Sequence, residues 1–531
     1  MRSHLVTRIL ATAALSLPII VVPTAASAAP TADTPALGSV IPVPAQVTPD
    51  STANFTLSPL TVIVTQPGSA AAYAIGRQLA RDLRPATGYP LVVLPFDPVI
   101  VPTVELRLGA TDPALGDGGY RLTVARNSVT IRANKAAGLF AGTQTLRQLL
   151  PAAIDATSVQ RRKWTIAGGS IVDYPRYAYR GAMLDEARHF HTPGEIKSYI
   201  DDISRFKINY LHLHLADDQG WRIQIDSWPR LTTVGGAAGT GVDGVGGGYL
   251  TKAQYKDLVK YAAARYVTIV PEIDMPGHVN AAQVAYPELT CDGVAPQPRT
   301  DTDVGYSSLC IDKDVTYRFI DDVIRELAAM TPGPYIHIGG DEAQATSDPD
   351  YITFEQKVLP IVAKYGKTPY GWNEITKAGP AASSAVAQFW GTGTSNPSLV
   401  SAAAAGTKVV MSPANKAYID QKYDENTVLG LDWAGYIEVQ TAYDWNPATR
   451  VRNLPASAVI GVEAPLWSET LRSLDDIEFL AFPRLPAIAE LGWSPAATHD
   501  WASFRARLGA YGPRWVFQGV DFYRSPQVDW S

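Results

Sequence analysis

The chain has 531 residues, 46% hydrophobic and 18% charged, which gives length and apolar content for more than one packed domain. Its 51 acidic side chains outnumber 45 Lys and Arg, so no basic surface argues for a nucleic-acid partner. Beyond the amino terminus no stretch approaches the roughly 18 uninterrupted apolar residues of a membrane helix, which argues against a membrane partner.

Residues 1–28 read as a secretory signal peptide. Arg2 and Arg8 form the positive end, residues 9–22 the apolar run, and Ala26-Ser27-Ala28 the small-residue cleavage pattern. The protein is therefore expected to be secreted. Cys291 and Cys310 fit that setting: an even count in an oxidising exterior favours a disulfide over two free thiols. It would close a loop of about 20 residues, worth ~3 kcal/mol by loop entropy.

Residues 29–50, rich in Ala, Pro and Thr, read as an extended lead-in. An α+β pattern follows: a strand at 61–65, a helix over 70–83 that ends before Pro85, a strand at 104–108, and a hairpin of 120–124 and 129–133 around Asn127. Ala136, Leu139, Phe140, Thr143, Leu146 and Leu150 then line one helical face. No catalytic cluster stands out here, so 29–176 reads as a supporting α+β domain.

From residue 177 to 531 short apolar strands alternate with longer helical stretches, the pattern of βα units on a parallel sheet. Candidate strands are 181–184, 209–215, 267–273, 335–338, 369–372, 386–390, 408–411 and 459–462. This predicts a (β/α)8 TIM barrel preceded by the smaller α+β domain, with an open doubly wound sheet as the alternative. No glycine-rich phosphate fingerprint follows a strand, so no nucleotide cofactor is indicated.

The strand ends carry the chemistry. They lead to Asp185 and Arg188; Asp217 through Trp221; Glu272, Asp274 and His278; Asp341 and Glu342; Trp372 and Glu374; Trp390; Tyr418 and Asp420; and Trp467 and Glu469. In a barrel these ends share one rim. Gly339 and Gly340 can bend the chain and re-aim Asp341 and Glu342 together; the alternative is an Asp capping the next helix beside a solvated Glu. His212, His214 and His337 read as interior histidines rather than zinc ligands, which need a third donor and an open position. His278 follows a loop signal and is a candidate supporting residue. The eight glycines in 235–248 read as a flexible surface insertion. Trp221, Trp372, Trp390, Trp433 and Trp467, near or beyond strand ends, offer faces on which sugar C–H bonds stack, so acids and aromatics together suggest a carbohydrate site.

Five segments in order resemble the signature of the β-N-acetylhexosaminidases, the glycoside hydrolases of family twenty: Met183-Leu-Asp-Glu-Ala-Arg188-His-Phe, His212-Leu-His-Leu-Ala-Asp-Asp-Gln-Gly-Trp221-Arg, Pro271-Glu-Ile-Asp-Met-Pro-Gly-His278, His337-Ile-Gly-Gly-Asp-Glu342 and Leu466-Trp-Ser-Glu469. The chain is most similar to the secreted actinobacterial type. The resemblance implies an exo-acting, retaining, substrate-assisted hydrolysis of terminal N-acetylhexosamine from chito-oligomers or glycan ends, without metal or cofactor. It assigns Glu342 as acid and base and Asp341 as the partner of the acetamido N–H. Asp217 and His278 form a relay behind Glu342. Tyr418 holds the acetamido oxygen, and Trp372, Trp390 and Trp467 wall its pocket. Arg188, Asp420 and Glu469 bind hydroxyls, and Trp433 belongs to the substrate site. The competing readings are a glycosidase with two protein carboxylates, a non-catalytic sugar-binding barrel and a metal-dependent hydrolase.

Overall fold

In a computed structural model, residues 34–98, 101–109 and 111–531 are described; the expected signal segment, residues 1–28, lies outside them. The N-terminal part builds a seven-stranded sheet in the order Gln46–Pro49, Gly169–Asp173, Tyr120–Ala125, Ser128–Ala133, Thr103–Leu108, Val62–Thr65 and Val93–Leu94. Tyr120–Ala125 buries every second residue, Tyr120, Leu122 and Val124, and exposes those between. That period of two is what lets one face of a strand enter a core. Ala125 pairs with Ser128, so the hairpin turns through Arg126 and Asn127.

Helices Ala70–Thr87 and Ala136–Gln148 bury Ile75, Leu79, Leu83, Leu139 and Leu146 in the same apolar cluster as the sheet. The first helix corrects the expectation that it ends before Pro85. Pro85 lies inside it, and the helix stops at Gly88, whose φ of +66° lets its N–H reach the Arg84 carbonyl. Proline costs one backbone hydrogen bond there, but the buried Thr87 hydroxyl still donates to the Leu83 carbonyl at 2.8 Å.

Eight parallel strands close a barrel: Tyr179–Asp185, Tyr210–His214, Thr268–Glu272, Tyr335–His337, Thr368–Trp372, Val386–Phe389, Lys408–Met411 and Val459–Ala464. Each overlaps a strand expected from the sequence. Helix Pro193–Arg205 starts with the reciprocal Thr192–Glu195 capping box and turns Ile196, Tyr199, Ile200 and Ile203 inward.

The interior is layered. Near the strand starts Tyr179 stacks on Tyr210 at 4.2 Å, with Tyr335 and Tyr370 edge-on at 6.2 and 6.0 Å. Above these rings the interior turns polar, with His212, Gln388 and Glu463, then His214, Glu272, His337 and Trp372, all with no solvent exposure.

Sheet and barrel belong to one compact unit. Lys207 joins them: its buried ammonium lies 3.0 Å from Asp173 Oδ2, 3.3 Å from the Tyr120 hydroxyl and 4.5 Å from the Trp493 ring. Trp493 donates its indole N–H to the other Asp173 oxygen at 2.9 Å. Removing one partner of a buried ion pair strands the other charge. Lys207→Met is expected to cost about 3–5 kcal/mol, read from denaturant unfolding; a loss below ~1 kcal/mol would show that Asp173 is satisfied without the cation.

Candidate active site

The site grows from one residue, Glu272, at the end of the third barrel strand. Its Oε2 lies 2.9 Å from His212 Nε2 and 2.5 Å from His214 Nδ1, and its Oε1 lies 2.9 Å from His337 Nδ1 and 3.1 Å from the Trp372 indole nitrogen. Burial alone would push this carboxyl up, but the three histidines overcome that and hold it well below the usual carboxylate range. His212 uses its other nitrogen on Glu463 at 3.0 Å, and Gln388 also donates to Glu463 at 2.7 Å. His212, Glu272 and His337 lie close enough to share an ion, and all three are fully buried inside the barrel.

The network runs on to the rim. His214 Nε2 meets Asp217 Oδ2 at 2.9 Å, Asp217 Oδ1 meets His278 Nδ1 at 3.1 Å, and His278 Nε2 faces Glu342 Oε2 at 3.5 Å and Asp341 Oδ2 at 3.8 Å. Burial would lower His278; Asp217, Asp274 and Asp341 overcome that and hold it well above its ordinary value. Burial would raise Asp217; Arg188 and His278 hold it well below. His278 itself takes a φ of +56°, a conformation uncommon for a residue with a side chain.

Asp341 and Glu342 leave the fourth strand through the expected bend. Gly339 and Gly340 have φ of +70° and +103°, and a Cβ on Gly339 would fall 1.7 Å from Asp274 Oδ1. Asp274 fills that space and accepts the Gly340 N–H at 3.0 Å. Burial first, then Glu342 and Glu272, push Asp341 up to about 6, against His278. Asp274 is raised well above its ordinary value by burial and then by Asp341.

A cavity of about 310 Å³ opens over these acids, lined by Arg188, His278, Tyr418, Trp390, Trp433, Trp467 and Glu469 among others. Trp390 and Trp433 meet at 6.1 Å and Tyr418 lies 5.9 Å from Trp433. Arg188 lies over Trp467 at 4.9 Å and is already engaged by Asp217 at 2.8 Å and Gln219 at 3.0 Å. Burial pushes Glu469 up to about 7 against the pull of Arg188. A larger cleft, about 710 Å³, lies at the opposite end of the barrel near Asn209, Thr268 and Pro334; barrel chemistry sits at the carboxyl ends of strands, which favours the smaller cavity.

Two expected substrate residues stand behind the cavity wall. Trp372 is fully buried, with its ring 5.8 Å from Trp467. Asp420 is buried beside Glu469, which with burial raises it to about 8. Trp221 corrects the expectation of a sugar-facing ring: it packs on Phe319 at 5.9 Å and donates to the Ile223 carbonyl at 2.7 Å. The glycine-rich insertion is tied down. Val242 N–H donates to the Arg188 carbonyl at 2.9 Å, and Arg222 donates to Thr240 Oγ1 at 2.9 Å and the Gly248 carbonyl at 3.2 Å.

Thr302, Val304 and Leu431 also line the cavity and were not singled out from the sequence. The first two sit inside the loop closed by the Cys291–Cys310 disulfide, which is present. Glu374 was named only as a strand-end acid; it accepts the Trp390 indole N–H at 3.1 Å and is raised to about 7 by burial and then Asp341.

An eight-stranded barrel with an aromatic and acidic cavity at its carboxyl rim defines a carbohydrate-processing enzyme. The catalytic-domain pattern of glycosyl hydrolase family 20 matches residues 177–350 and 346–496, and that of its domain 2 matches 38–174. The chain is 41% identical to a β-N-acetylhexosaminidase of Cellulomonas fimi over 93% of this chain and 97% of that one. It superposes on the GH20 β-N-acetylhexosaminidase of Streptomyces coelicolor A3(2) with a TM-score of 0.91 at 52% identity, covering 94% of this chain and 100% of the other. It likewise superposes on a mutant Streptomyces plicatus β-hexosaminidase in complex with product (GlcNAc), with a TM-score of 0.90 at 53% identity, covering 94% and 99%. The chain belongs to glycosyl hydrolase family 20 and is a glycoside hydrolase.

The coupled shifts of Asp217 and His278 carry a pH signature. A depressed carboxyl contributes stability above its unfolded value near ~4 and loses it as pH falls through the folded value; a raised imidazole contributes fully below ~6.5 and loses it as pH rises through the folded value. The difference in Tm between the natural protein and Asp217→Asn is expected to be largest between about pH 4 and 7 and to shrink in stronger acid. A difference that persists unchanged at about pH 2 would point to packing instead.

Proposed function

We infer that this chain is an exo-acting, retaining β-N-acetylhexosaminidase that removes terminal N-acetylhexosamine from β-linked glycosides by substrate-assisted catalysis. The observation that carries the mechanism is that Asp341 and Glu342 both face the same His278 nitrogen, at 3.8 and 3.5 Å. Two carboxyls gathered on one imidazole nitrogen are poorly placed to flank opposite faces of a sugar ring, as a protein nucleophile and a separate acid must. The nucleophile is then the substrate's own 2-acetamido group.

Its carbonyl oxygen attacks C1 as the C1–O bond to the leaving group breaks. Glu342, with 29% of its side chain exposed in the cavity, gives its proton to the departing oxygen. Asp341 accepts the acetamido N–H and stabilises the positive oxazolinium. Water then loses a proton to Glu342 and adds to C1, which reopens the ring with retained configuration. Intramolecular attack already carries much of the entropic advantage. Tyr418 and the walls of Trp390 and Trp467 hold the acetamido group, with Trp372 packed behind Trp467. Arg188 and Glu469 bind hydroxyls, Asp420 supports Glu469 from behind, and Trp433 closes the mouth. Asp217 and His278 tune Glu342 from behind.

The cavity volume suits one sugar and an exo mode. The acids and aromatics of the rim support chito-oligomers or glycan ends as substrates. The leader pattern of residues 1–28 and the Cys291–Cys310 bridge support secretion, since such bridges persist in oxidising compartments.

Glu342→Gln is expected to lower kcat by about 10²–10⁴ on a glycoside with a poor leaving group, without loss of fold by circular dichroism; near-normal turnover would remove Glu342 as the acid. Asp341→Asn is expected to reduce hydrolysis of the N-acetylglucosaminide far more than any residual glucoside activity. A thiazoline mimic of the oxazolinium is expected to inhibit strongly, and indifference to it would favour a protein nucleophile.

A further inference from the structure

Glu355 is a buried acid that the mechanism above leaves unused. It lies on helix Asp348–Lys364, has no solvent exposure, and neither carboxyl oxygen has a hydrogen-bond partner in the structure. No Lys, Arg or His is ion-paired with it among the described residues. It sits directly behind the catalytic bend: a Cβ on Gly340 would lie 2.9 Å from the Tyr351 hydroxyl and 3.5 Å from Glu355 Oε1. Tyr351 occupies the preceding turn of the same helix, four residues before Glu355, so the two side chains share a face. The Tyr351 hydroxyl donates to the Gly340 carbonyl at 2.6 Å.

An isolated carboxylate in such surroundings is far too costly to keep ionised. Burial accordingly pushes Glu355 up to about 8, opposed only by Tyr351. Tyr351 has one proton, and the Gly340 carbonyl takes it, so the hydroxyl oxygen is left as an acceptor. A protonated Glu355, on the same face of the helix, carries a donor of the kind that oxygen can take. The other charged groups nearby face Tyr351 rather than Glu355: Glu374, Asp341 and Asp274 add to its raised value, and Lys377 lies 5.3 Å from its ring while paired to Asp348.

We propose that Glu355 is a positioning residue held neutral, which donates to Tyr351 and through it fixes the Gly340 carbonyl and the aim of Asp341 and Glu342. Ionisation removes that donor and places a charge behind the bend. This inference rests on Asp341 and Glu342 carrying the chemistry, and it deepens that reading by tying their placement to one distant proton.

The test uses Glu355→Gln, Glu355→Leu and Tyr351→Phe in the full-length enzyme. The amide keeps a donor and cannot ionise. The ratio of its kcat to that of the natural enzyme is expected to stay flat below about pH 7 and to climb severalfold by about pH 9, with KM nearly constant. Such a ratio cancels the titration of Glu342 itself. Glu355→Leu and Tyr351→Phe are each expected to lower kcat about tenfold or more at similar KM, and the double variant to be no worse than the single ones.

Stability gives a separate readout. In the unfolded chain Glu355 loses its proton near ~4.5, while the folded protein keeps it to about 8, so the natural protein is penalised increasingly as pH rises through that window. The Tm advantage of Glu355→Gln is expected to grow over the same range. If that advantage grows while the kcat ratio stays flat and Glu355→Leu retains full kcat, Glu355 is merely buried and the proposal is overturned. Should Glu355→Leu fail to fold, the flat or rising ratio of Glu355→Gln decides alone. Failure of the catalytic reading is distinct, since it requires Glu342→Gln to remain active.

Discussion

Everything at the rim depends on Glu272 being ionised in the middle of the barrel. A lone carboxylate there would be prohibitively desolvated. Three histidines from two neighbouring strands and the Trp372 indole surround it; the raised His212 and His214 supply charge, and His214 and Trp372 supply hydrogen bonds, which offset the cost. Because His214 spends one nitrogen on Glu272, its other nitrogen is left for Asp217, and Asp217 in turn takes His278. Each group in this line fixes the orientation of the next, and the last of them faces both Asp341 and Glu342. A chain of paired polar groups can specify geometry in a way an apolar core does not, because every hydrogen bond has a direction.

The acids themselves illustrate how burial divides labour between adjacent residues. Asp341 is 8% exposed and pressed against Asp274, and its affinity for a proton is raised. Glu342 reaches into the cavity. That difference in exposure suits the two roles proposed for them, one holding and stabilising, the other exchanging protons with a leaving group. The two glycines before them permit the bend, and Asp274 uses the space a side chain on Gly339 would need. Behind the bend, Tyr351 and Glu355 complete the support from the helix side.

Much of this was legible in the linear chain, for reasons that can be located. A barrel strand such as Tyr210–His214 alternates leucine with aromatic and imidazole side chains, and four of its five residues are buried, so it reads as a strand without help. Arg188, His278, Asp341, Glu342, Tyr418, Trp390, Trp467 and Glu469 stand at or shortly after strand ends, Trp433 lies farther along the connection that follows Lys408–Met411, and all of them line one cavity. The signals that misled were local ones. Trp221 follows a strand like the other tryptophans, but its indole faces Phe319 instead of the rim. Pro85 reads as a helix stop, yet the glycine cap three residues later sets the end. Thr302 and Val304 carry no chemical signature, and their position depends on a loop closed by a disulfide rather than on any pattern.

What the sequence determined by itself is the alternation of strand and helix, the residue types at each strand end and the glycine bend before the paired acids, because these follow from short-range periodicity and from φ preferences that each residue brings with it. What only the tertiary structure decided is which of those side chains face the cavity and which protonation state each one keeps. Trp372 and Asp420 fall behind the wall, Asp274 and Glu355 are forced toward neutrality, and Glu272 is held ionised. Those outcomes depend on distances between residues far apart in the chain and on how completely water is excluded, and neither is written in any short stretch of sequence.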